Sequence, residues 1–212
     1  MSLDELMRRA AVWRGGELSP RATHPTGFTD LDEILPGRGW PQTGLTEFYA
    51  ATAGLGALRL VLPALAALSR LGQWVIWINP PHVPYAPALD AHGFDLARLL
   101  VVELPEQPGA VPDERLWAYE QALRFADCGA ALAWFGDIPT LQLRRLQLAA
   151  EAGATWGLAF RPIQTAVRAS PALLRVVLDA GATGAEDALA TLEVTLLKAR
   201  GGHTGRRCRL EI

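Results

Sequence analysis

At 212 residues, 50% apolar and 20% charged, the chain has enough material for one domain with a full core, and neither a disordered nor a strongly solvated chain fits. A formal net charge of −2 excludes a global electrostatic drive toward nucleic acid. Cys128 and Cys208 stand alone, with no C-x-x-C pair and no zinc spacing, and are read as reduced thiols of a cytoplasmic protein.

The chain starts MSLDELMRRA, with acids early and no long apolar run, so no signal peptide is expected there. No segment reaches about 18 uninterrupted apolar residues, so no membrane span is expected. Residues 1–14 read as an amphipathic helix. Leu3, Leu6, Met7, Ala10 and Trp13 share one face, and Arg8, Arg9 and Arg14 lie off it. Gly15-Gly16 ends the helix and Ser19–Pro25 forms a polar linker. Residues 1–25 are therefore an N-terminal helix and linker, and 26–212 a single α/β domain. The stripe docks on its own domain or on a neighbouring protein; Leu3, Leu6, Met7 and Trp13 are the candidate contacts.

The stretch Thr26–Arg59 organises the rest. Gly44–Tyr49 reads as a strand, Ala50–Gly56 as a loop of small residues, and Ala57–Arg70 as an apolar helix buried under the sheet. That order is the opening of a RecA-type nucleotide-binding core, with a helix N-terminus facing the phosphates. The loop lacks what a phosphate site needs, G-x-x-x-x-G-K-[ST]. Ala50 stands for the first glycine, Gly54 and Gly56 remain, and Gly56 or Ala57 falls where lysine belongs. Arg59 is the only nearby cation, and Pro63 kinks the helix or shifts its effective start to near Pro63. No cofactor, no metal and no enzymatic activity are expected.

Gln73–Asn79 is a buried strand ending in Pro80-Pro81-His82. Pro81 occupies the position where a RecA-type ATPase places its water-activating glutamate. His82 reads as exposed or structural. A short helix covers Ala88–Gly93, a strand Leu99–Leu104, a loop Gln107–Pro112, and a helix Asp113–Ala126 with Leu116, Tyr119, Leu123 and Phe125 inward. The strand Ala130–Trp134 runs into Phe135 where a magnesium-binding aspartate would stand, and Asp137 comes too late. Leu141–Ala152 is an amphipathic helix with Arg144 and Arg145 outside, and Trp156–Phe160 a fifth strand. Strands alternating with helices predict a mostly parallel sheet with helices on both faces. Leu173–Leu178, Leu189–Leu197 and Cys208–Ile212 predict an antiparallel C-terminal extension, and the basic turn Lys198–Arg207 a solvated hairpin tip.

Several pieces together resemble the ImuA family of RecA-like accessory proteins. They are Val12–Gly15, Pro25–Phe28, Gly39–Pro41, Pro80–His82, Pro84–Leu89, Glu120–Arg124, Leu143–Glu151 and Lys198–Gly202. The resemblance implies a RecA-like fold and a role in damage-induced translesion synthesis. Its implied partners are RecA, the polymerase-like protein ImuB and, indirectly, an error-prone replicative DNA polymerase. Lys198 and Arg200 match a pair that RecA sends across its filament interface, so they join the N-terminal stripe as candidate partner contacts. The counterparts of RecA's DNA loops, about Gly136–Thr140 and Arg161–Pro171, offer only Arg161 and Arg168 and no aromatic, so weak or no direct DNA binding is expected. Two alternatives stay open. One is a cell division inhibitor of the SulA type, a binding protein for the bacterial division tubulin. The other is a weak nucleotide hydrolase.

Overall fold

A computed structural model describes residues 22–51, 56–104, 112–180, 191–202 and 204–211. The N-terminal stripe Leu3, Leu6, Met7 and Trp13 lies outside them, as does Gly54. Strands β1 (Thr23–His24) and β2 (Trp40–Pro41) pair as a small antiparallel ribbon around helix α1 (Thr29–Ile34). The main sheet takes β3 (Gly44–Ala50), β4 (Trp74–Ile78), β5 (Leu99–Val102), β6 (Cys128–Trp134), β7 (Trp156–Pro162), β8 (Leu174–Ala180), β9 (Thr191–Ala199) and β10 (Arg207–Glu211). The helices between them are α2 (Ala57–Arg70), α3 (Ala86–Ala91), α4 (Pro112–Arg124) and α5 (Thr140–Ala152).

The strand order is β10-β9-β8-β3-β7-β6-β4-β5. Pairs from β8 through β5 are parallel, and β8-β9 and β9-β10 are antiparallel. The expected RecA-like core with a C-terminal extension is corrected by this arrangement. The chain builds one mixed sheet of eight strands with five helices among the described residues. Its antiparallel part is no appendage: β8 bonds directly to β3, and Leu174, Val176 and Leu178 are buried in the same cluster as Phe48. Apolar residues at every second position of β8 require that burial.

Alternate strand residues divide between two apolar clusters. The first joins Leu31 of α1 and Leu60, Leu65 and Leu68 of α2 to Val75, Trp77, Leu132 and Leu158. An aromatic row runs through it: Trp40 stacks on Trp156, Phe48 on Phe160, and Phe160 on Trp134. The second joins Tyr119 and Leu123 of α4 and Leu143 and Leu146 of α5 to Ile76, Ala131 and Ala159. Pro63 does not delay the start of α2, which runs from Ala57 to Arg70. The proline ring lies against Gly27, which has φ 88°, and a Cβ there would come within 2.9 Å of it. Phe125, expected inward, falls one residue past α4 and is exposed. The basic hairpin tip is not simply solvated. Gly202 sits on Pro36, and an Arg206 guanidinium N–H donates to the Glu33 carbonyl at 3.0 Å.

Candidate interaction site

At the phosphate-loop position β3 ends on half-buried Ala50, and α2 is capped by Gly56 in a left-handed conformation, φ 67°. No side chain caps the helix, and Ala57 and Leu58 open its first turn. No lysine or hydroxyl among these residues could meet a terminal phosphate or magnesium, and Pro81 is exposed with nothing to offer a water. At these described positions the residues do not fit ATP. Among the described residues no group of His, Cys, Asp and Glu could hold a metal ion.

Beside that loop lies a buried charge cluster that the sequence reading did not single out. Glu47 of β3 is fully buried between two arginines. An Arg161 guanidinium N–H donates to Glu47 Oε1 at 2.6 Å, and Arg175 Nε lies 3.4 Å from Oε2. Arg175 also donates twice to the Tyr49 hydroxyl, at 3.0 and 2.8 Å, and once to the Ala166 carbonyl at 2.8 Å. Burial, reinforced by the Glu47 charge, pushes the Tyr49 phenol up to about 12. Asp137 holds exposed Arg168 at 2.7 Å and approaches Arg161 at 3.7 Å. These bonds tie the stretch 163–173, which carries the chain from β7 to β8, down beside β3. The aspartate that came too late for magnesium thus anchors this crossing. The signal was present in the sequence as single charges inside apolar strands, Glu47 in GLTEFY and Arg175 in LLRVV.

Of the expected partner residues, Lys198 and Arg200 lie among the described residues. Half-buried Lys198 pairs across the ladder with Arg175, and its Nζ donates to the Ser170 carbonyl at 2.7 Å. Burial, followed by the Arg175 charge, lowers its pKa. Arg200 is exposed and lies 4.0 Å from Glu151 at the end of α5.

Among the described residues an open, largely apolar groove runs along α4 and α5. Leu141 is 77% exposed and Leu148 55%, and Arg124, Arg144, Arg145 and Gln142 complete its lining. Beneath it the buried Glu120 carboxylate accepts from Arg124 at 3.1 Å and Arg145 at 2.6 Å, which clamps α4 to α5. Burial alone would raise the Glu120 pKa, but the bonds and charges of Arg145 and Arg124 outweigh it and the net shift is downward. Trp117, seven residues before Arg124 and so on the same side of α4, is exposed as well.

The chain is 31% identical over 125 residues to the cell division inhibitor SulA of Edwardsiella piscicida, a match covering 58% of this chain and 70% of that relative. The chain belongs to the SulA family. The SulA of Yersinia pestis (strain Pestoides F) is 29% identical over 119 residues, covering 56% of this chain and 68% of the relative. A crystal structure of SulA from Pseudomonas aeruginosa overlays 55% of this chain and 97% of its own at 22% identity and a TM-score of 0.44. No protein-family model matches.

Membership in the SulA family corrects the ImuA resemblance. The relatives carry the name of a cell division inhibitor, and the expected translesion role falls. The expected partners RecA, ImuB and an error-prone polymerase fall with it.

Proposed function

We propose that this chain is a non-enzymatic inhibitor of cell division that acts by binding the bacterial division tubulin. The observation that carries this reading is the relative named as a cell division inhibitor, 31% identical and matched over 70% of its length. The phosphate-loop position supports the non-enzymatic part, because Gly56, Ala57 and Leu58 replace the groups that would bind and activate a nucleotide. Inhibition then comes from occupying a surface of the target, and stoichiometric binding suffices. No helix among the described residues is long and apolar enough to cross a membrane.

The test is equilibrium binding of the purified full chain to the purified division tubulin of the same bacterium. A one-to-one complex with a Kd in the micromolar range or tighter, about −8 kcal/mol or better, is expected. Alanine variants of Lys198 and Arg200 belong in the same assay, since both are candidate contacts. Absence of a complex at tens of micromolar would sink the reading.

A further inference from the structure

We infer that the groove between α4 and α5 is where the target docks, and that it takes a segment whose carboxylates flank an apolar anchor. This rests on the inhibitory reading above and adds the place and the chemistry of the contact. Leu141 and Leu148 are seven residues apart, so they point to the same side of α5, and water covers both. Arg124, Arg144 and Arg145 surround them, and among the described residues no carboxylate lines the groove. Glu120 beneath supplies one negative charge, shared between Arg124 and Arg145. Three guanidiniums against one carboxylate leave the rim cationic.

The combination selects among possible occupants. A phosphodiester chain would satisfy the arginines and leave both leucines in water; an acidic peptide segment with an apolar anchor uses both features. A second copy of this chain would bring an identical cationic rim against the first, which like-charge repulsion disfavours. The chain's own N-terminal stretch sets Arg8, Arg9 and Arg14 against Asp4 and Glu5, which leaves a net positive charge of the same sign as the rim. A partner surface with opposite charge complements the groove.

The experiment compares wild type with Leu141→Asp/Arg144→Glu in binding to the division tubulin. Both side chains are exposed and neither holds Glu120. The distant exposed variant Arg209→Glu on β10 serves as control. The expected result is a loss of affinity of about tenfold or more in the double variant, with an unchanged thermal midpoint and wild-type binding by the control. If wild type binds and the double variant binds equally well, the groove assignment is overturned while the inhibitory reading stands. If wild type itself fails to bind, the inhibitory reading has failed and takes this inference with it. Two other results, each with target binding retained, also overturn it. One is loss of binding to a labelled single-stranded oligonucleotide, which points to nucleic acid. The other is a changed association state on size exclusion, which points to a second copy.

Discussion

Glu47 is the residue on which the carboxyl end of the sheet depends. Its carboxylate is fully buried, and Arg161 and Arg175 both lean on it. Two charges removed from water are costly, and removing one partner leaves the other buried and uncompensated. Glu47→Gln keeps the shape and removes the charge, so it should destabilise the fold by about 3–5 kcal/mol in urea unfolding. Adding Arg161→Met should recover part of that loss, because it removes one of the two stranded cations. A single variant within about 0.5 kcal/mol of wild type would show that the cluster contributes nothing to stability. The residue was readable as part of a strand but not as part of a cluster. Its partners stand 114 and 128 positions away by number, and only the parallel register of β3 with β7 and β8 brings them together.

At the scale of elements, α4 and α5 are joined through Glu120, and that joint is sensitive to acid. The carboxyl has a lower pKa folded than unfolded, because Arg145 and Arg124 outweigh its burial. Between those two values the unfolded chain binds more protons, so stability rises with pH there. The contribution is complete above the ordinary carboxylate value of 4.5 and is lost as pH falls through the folded value. Thermal midpoints recorded from pH 6 down to pH 3 should therefore fall less steeply for Glu120→Gln than for wild type. Parallel acid limbs would contradict the clamp. Both helices were legible from their apolar spacing: Asp113–Ala126 was expected against α4 at Pro112–Arg124, and Leu141–Ala152 against α5 at Thr140–Ala152. The groove between them was not, because Arg144 and Arg145 alone read as an ordinary solvated face. What distinguishes it is that two leucines share that face, and the outward direction of Leu141 and Leu148 shows only once the sheet is in place.

For the whole molecule, the strand positions were largely legible, and the identity was not. Apolar runs bounded by glycine and proline placed β3, β4, β5 and β7 within about two residues of their ends, because a strand buried on both faces can hardly read otherwise. The C-terminal strands were found too, but their rank was misjudged. Leu174, Val176 and Leu178 alternate as any half-buried strand does, and nothing in that alternation says that β8 lies next to β3. Ala57 and Leu58 stand where a phosphate loop would have lysine and a hydroxyl, which led to the expectation of no nucleotide chemistry. Such an expectation names no function in its place. That is why ImuA and SulA readings could both be drawn from the same landmarks until relatives matched over more than half of the chain separated them.

The central claim is that this chain stops division by engaging its target without chemistry of its own. Light scattering of GTP-driven division-tubulin polymerisation tests it most directly, with increasing amounts of the full chain and no ATP present. The account predicts that assembly falls as the chain approaches equimolar with its target. It also predicts that Leu141→Asp/Arg144→Glu requires about tenfold more protein for the same effect. Assembly that proceeds at its normal rate and extent in a several-fold excess of wild-type chain would contradict the account.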